Sequence, residues 1–183
     1  MSLTLIAGLI ILVVVVTFIT IYNSLVKLRN LSQEGWSGID VQLKRRRNLI
    51  PNLVETVKGY TQHEKGVLEN VTKARTQTIN AQNPKEAGQS ENMLTQALKS
   101  LFAVAENYPQ LKANQNFLSL QEELSQIEEE IQLARRYYNG VVRDLNIKVE
   151  SFPSKIVASA CGFNKRDFFE AETGERDLPK VDF

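Results

Sequence analysis

Residues 3–22, LTLIAGLIILVVVVTFITIY, run for twenty positions without a charged side chain. The three hydroxyls among them, Thr4, Thr17 and Thr20, can bond back to helix carbonyls and so add no unsatisfied polar group. At a rise of about 1.5 Å per residue the stretch is roughly 30 Å long as a helix, the thickness of a bilayer's hydrocarbon core. Leu3 opens this anchor, and Tyr22 stands at its far end, where an interfacial aromatic belongs. The run outlasts the apolar region of a secretory signal, and no small-x-small cleavage site follows it. Only the α-amine precedes it, whereas Lys27 and Arg29 come directly after. That asymmetry predicts a single pass through the cell membrane with the remaining chain on the cytoplasmic side. No GxxxG occurs in the segment, so nothing in it signals a tightly packed anchor dimer.

The rest of the 183 residues suffices for one core and an appendage. A formal net charge of +1 supplies no global attraction to nucleic acid or to an acidic partner. The chain has one cysteine, Cys161, and one histidine, His63. An internal disulfide is thereby excluded, and most metal sites and histidine-dependent mechanisms lose their raw material.

Beyond Asn23 the apolar residues recur in steps of three and four. Trp36, Ile39, Leu43, Ile50, Leu53, Val57, Tyr60, Val67, Val71 and Ala74 form one seam, on which Arg46 and Glu64 also fall. The segment NAQNPKEAGQSEN reads as a loop, after which Ser90 is the expected N-cap of a second helical block with Glu91 in its first turn. Leu94, Leu98, Leu101, Ala105 and Tyr108 make its stripe, which stops or bends at NYPQ. A third run, from Phe117 through Leu124, Ile127, Ile131, Tyr138 and Val141 to Leu145, is the most regular. No alternating strand pattern occurs, so the fold class is all-α: a transmembrane helix followed by an antiparallel bundle of three to four long, kinked segments. The predicted boundaries are an anchor over 1–23, a bundle over 24–151, and a short helix with an aromatic, acidic tail over 152–183. Two halves of about 60 residues, each with one internal proline (Pro51, Pro109), fit either a long bent hairpin or a shorter four-helix bundle.

Several stretches together carry a family resemblance: GIDVQLKRRRNLIPNLVETVKGYTQHE, AENYPQLKANQNFLSLQEELSQIEEEIQLARRYYN, and FPSKIVASACGF followed by FFEAE. In this order they resemble the LemA family over nearly the whole chain. The resemblance implies an antiparallel helical bundle held to a prokaryotic cell membrane by a short N-terminal anchor; it speaks to fold and location rather than to mechanism. Gly35 and Gly38 depart from the pattern, since each costs about 1 kcal/mol relative to alanine within a helix.

The candidate site residues are weighed on their positions. Lys44 to Arg47 point all round a helix and lie over 20 residues, about 35 Å, beyond the anchor. Headgroup potentials decay over a Debye length of about 8 Å, which leaves this cluster to solvated, intramolecular or protein contacts rather than lipid. Arg46 faces a seam carboxylate or the carbonyls that a proline releases. Pro51 reads as an interior kink because the stripe stays in phase across it; the competing reading, N1 of a new helix, needs Ile50 as an N-cap. The carbonyl of Arg47 is then open to Asn48 or to an arginine from a facing helix. His63-Glu64 begins an HExxH pattern that Val67 ends. Cys161 reads as a small packing residue, and one of Tyr137 and Tyr138 as a core residue with a bonded hydroxyl. Phe163, Phe168, Phe169 and Phe183 are too many for a solvating tail, and they either pack back on the bundle or form an interaction tail.

The expected function is a membrane-anchored scaffold or adaptor presenting helix faces to other proteins, with no catalytic residue, cofactor, metal, nucleic acid or small-molecule substrate. The alternative is a self-assembling, membrane-organising coat or cage. An enzyme is the third class, disfavoured by the scarcity of His and Cys; surface carboxylates such as Glu122 and Glu129 read as solvated.

Overall fold

The computed structural model describes residues 3–61, 63–81 and 83–169. These form six helices: α1 (Leu3–Lys58), α2 (Lys65–Asn80), α3 (Pro84–Ala105), α4 (Pro109–Lys112), α5 (Gln115–Glu150) and α6 (Ser154–Ala160). Among the described residues there is no strand.

The helix boundaries correct the sequence reading in two places. The first block, expected to run on as far as NAQNPKEAGQSEN, breaks between Lys58 and Lys65, while Pro51 lies inside an uninterrupted α1. Gly59 closes the last turn on Glu55 O, and Thr61 turns both its amide and its hydroxyl onto Val57 O. The second block begins at Pro84, not after Ser90. Asn83 caps it, its side chain accepting from Glu86 N at 2.9 Å, with Pro84 in the first turn. An Asn-Pro pair followed by Glu is a helix start as well as a loop composition, and here capping prevails. Ser90 is buried in mid-helix, its hydroxyl bonded to Ala87 O. At the start of α5, Asn114 Oδ1 accepts from Phe117 N, and its amide donates to Tyr60 Oη.

Two compact units divide the chain, and α1 and α5 contribute to both. The first comprises the described parts of Met1–Ser37 and Arg136–Phe168. Its core joins Leu25, Leu145, Val157, Ala158 and Phe163. Tyr138 is fully buried against Trp36, ring centroids 5.9 Å apart, and its hydroxyl donates to Asp167 O at 2.9 Å. Gly35 accounts for the closeness of α1 and α5 here: a Cβ on it would lie 3.2 Å from the Tyr137 ring. Around Gly38 the same position is open. Val142, one place beyond the expected Val141, fills the core. α6 ends on Gly162 at φ +72°, and Phe163 N reaches back to Ala158 O, a Schellman closure that carries Phe163 into the core. Cys161, expected to pack, is exposed.

The second unit comprises Gly38–Arg135 with Phe169. Ile50, Leu53 and Val57 of α1 meet Val71 and Ala74 of α2, Leu94, Leu98 and Leu101 of α3, Leu111 of α4, and Phe117 and Leu124 of α5. Leu111, which no predicted stripe includes, is the one addition to the expected seams; Tyr60, expected on a seam, is exposed while Thr61 takes the inward place.

Candidate functional site

The basic run of α1 disperses within the second unit. Lys44 pairs with Asp40 one turn back at 2.7 Å, and Arg45 bonds Gln42 on the surface. Arg46 and Arg47 turn inward to different partners, so the four residues form no common cationic face.

Arg46 is 5% exposed. Its Nη2 donates to Thr95 Oγ1 at 2.8 Å, and its Nη1 lies 3.3 Å from Glu91 Oε2 and 3.1 Å from Glu128 Oε2. Only the Glu91 contact has hydrogen-bond geometry; the Glu128 contact is an ion pair. One guanidinium thus serves a carboxylate from α3 and another from α5. Glu91 is 4% exposed, and its Oε1 has no hydrogen-bond partner among the described residues. Burial pushes the Glu91 carboxyl up from 4.5 to about 7, against the pull of Arg46 and Arg47 and with the help of Glu128. These side chains line a groove of about 420 Å³, along with Phe102 and the buried ring of Phe169.

Glu91 and Glu128 were not singled out from sequence, although the signal for Glu91 existed. It stands three places before Leu94 and seven before Leu98, on the apolar stripe, and a carboxylate on a buried stripe demands a partner. Reading Ser90 as a helix cap assigned it to a solvated first turn instead.

Pro51 and Arg47 form a second constellation. With no N–H at Pro51, the carbonyl of Arg47 lacks its usual donor four residues on. Arg75 of α2 supplies one, Nε to O at 2.9 Å. Arg47 in turn donates from Nη1 to Thr78 O, in the last turn of α2, at 2.7 Å. Its Nη2 also lies 3.8 Å from Asp40 Oδ1.

At the N-terminal side, α1 begins at Leu3, and its apolar residues from Leu5 to Tyr22 are mostly exposed. It is the one described helix long and apolar enough to cross a membrane. Tyr22 packs edge-on against Phe163, centroids 5.8 Å apart, and the Arg29 guanidinium lies 5.2 Å over the same Phe163 ring. Of the tail phenylalanines, Phe163 and Phe169 are buried and Phe168 is exposed; Phe183 lies outside the described residues. His63 is exposed. Among the described residues no group of three His, Cys, Asp or Glu side chains is placed to hold a metal ion.

The LemA family model matches residues 35–183, which include Arg46, Glu91, Glu128 and the Pro51 constellation. The chain belongs to the LemA family. Protein LemA of Metamycoplasma hominis is 29% identical over 158 residues, spanning 84% of this chain and 71% of that relative. Magnetosome protein MamQ 2 of Paramagnetospirillum magneticum is 23% identical over 193 aligned positions, 91% of this chain and 71% of that protein. Magnetosome protein MamQ of Magnetospirillum gryphiswaldense is 21% identical with the same coverage.

Proposed function

We propose that this chain is a membrane-anchored, non-catalytic helical scaffold that acts by self-assembly, with its bundle on the cytoplasmic side. The observation that carries the reading is α1, in which an exposed, uncharged stretch passes without a break into a helix that supplies core residues to both units. Such a helix offers no flexible tether between membrane and bundle, the arrangement suited to transmitting order from one to the other. Relatives that carry the name of a cellular structure, the magnetosome, favour membrane organisation over service to a single partner. Lys27 and Arg29 support the cytoplasmic orientation.

The test is crosslinking in cells from exposed bundle positions such as Leu118 and Leu133, followed by sizing of the detergent-solubilised protein. Self-assembly predicts recovery of the chain's own copies in a large assembly of defined size. A stoichiometric second protein on a monomeric chain would instead establish the adaptor. A hydrolytic activity abolished by Glu91→Gln would overturn the non-catalytic reading, since a carboxyl titrating near neutrality in a groove is what acid–base chemistry requires.

A further inference from the structure

The corner between α5 and α6 leaves its largest apolar side chains unpacked. Phe152 is 84% exposed and Ile156 63% exposed, the latter next to Val157, which is buried in the core of the first unit. One exposed apolar side chain is ordinary, but two large ones four positions apart at one corner mark a candidate contact surface.

The pairing of α1 with α5 indicates which surface that is. The two helices run antiparallel, and their contacts keep one register: Gly35 meets Tyr137, Trp36 meets Tyr138, and Lys148 donates to Ser24 Oγ. Leu25 shares a cluster with Leu145, and Ile21 and Val149 pack on the same cluster. Continued for one more turn, this register brings Phe152 level with Thr20–Tyr22, where the uncharged run of α1 ends. α6 keeps Ile156 at the same end, because its neighbours Val157 and Ala158 pack with Leu25.

We infer that the α5–α6 corner is a second membrane contact, with Phe152 and Ile156 entering the headgroup–acyl boundary of the bilayer that α1 crosses. The charges suit this occupant. Lys155 is exposed between the two apolar side chains in sequence, and Lys27, Arg29 and Lys148 lie within the following turns of α1 and α5. Apolar tips flanked by basic groups match the order of acyl chain and phosphate at an interface. The ion pair of Lys165 with Glu150 on the same side leaves the excess positive. A corner seated in the lipid fixes how the first unit stands on the membrane, which a single helix, free to rotate and tilt, does not.

This inference rests on the membrane reading of α1, and one experiment separates the two. Single tryptophans are placed in a Trp36→Phe background of the full chain, reconstituted in nanodiscs of phosphatidylcholine and phosphatidylglycerol. Phe152→Trp, Leu12→Trp and Arg136→Trp are compared for quenching by lipids brominated near the top or near the middle of the acyl chain. The expected result is that Phe152→Trp loses most of its emission to the shallow bromines. Leu12→Trp should lose its emission to the deep ones. Arg136→Trp, roughly 24 Å back along α5, should be insensitive to both. Quenching at Leu12→Trp without quenching at Phe152→Trp would overturn the corner contact and leave the anchor standing. An unquenched Leu12→Trp would overturn both. Equal quenching at Phe152→Trp and Arg136→Trp would refute the register on which the assignment stands.

Discussion

Replacing Glu91 by glutamine should change the pH dependence of stability more than the stability at any one pH. The carboxyl titrates at about 7 in the folded chain against 4.5 for the group free in solution, chiefly because it is buried. A raised carboxyl pKa means that the folded protein holds a proton the unfolded chain has already released. Its favourable contribution is therefore complete below about pH 4.5 and is lost as the pH rises through about 7. At about 1.4 kcal/mol per pKa unit, the loss amounts to roughly 3 kcal/mol between about pH 4.5 and about pH 8. Glutamine keeps the shape and cannot titrate. Urea unfolding of both proteins in detergent, followed by far-UV ellipticity, gives the difference between them at each pH. That difference should move in favour of Glu91→Gln by a few kcal/mol from about pH 4.5 to about pH 8, most of it below pH 7 and half of it by about pH 6. A difference independent of pH would refute the argument, showing that Arg46 holds Glu91 ionised throughout.

Four further outcomes follow from the packing. Pro51→Ala should retain the helical ellipticity of the parent, because Pro51 lies within α1; loss of the fold would show that the position acts as a turn. Arg75→Met removes the donor to Arg47 O and should cost about 1–3 kcal/mol in denaturant unfolding, and less when combined with Pro51→Ala, which restores a donor. Gly38→Ala, with open space at its Cβ, should gain about 1 kcal/mol, whereas Gly35→Ala should gain less and Gly35→Leu should destabilise, as thermal melts would show. Tyr138→Phe should cost about 1 kcal/mol and speed amide exchange near Asp167, whose carbonyl loses its donor.

The all-α class, the apolar segment and most core positions were readable from spacing alone, because burial on a helix repeats every three or four residues and needs no partner to be recognised. The breaks were not. NAQNPKEAGQSEN has the composition of a loop, yet Asn83 and Pro84 are a cap and a first turn, and composition does not reveal which carbonyl a side chain will face. Gly35 was read as a cost, since only the position of the Tyr137 ring shows what the missing Cβ makes room for. The groove was half legible. Arg46 lies on the seam, where either a carboxylate or the carbonyls released by Pro51 would serve it, but Glu91 and Glu128 stand 45 and 82 residues away, and no local pattern reports a contact at that separation. The corner at Phe152 was hidden for the same reason, since exposure acquires meaning only once the register against α1 is known.

The exchange between Arg47 and Arg75 makes each of two helices incomplete without the other. α1 holds a carbonyl that it cannot satisfy itself, and α2 ends with one at Thr78 that Arg47 reaches. Sliding either helix by a turn would forfeit both charge-assisted bonds at once, roughly 3–6 kcal/mol at the usual value for such bonds. The apolar seam alone would tolerate that slip, because Ile50, Leu53 and Val57 repeat with the helix and pack nearly as well one turn along. The missing N–H of one proline thus acts as an alignment mark: it allows a single pairing out of several that greasy surfaces would accept.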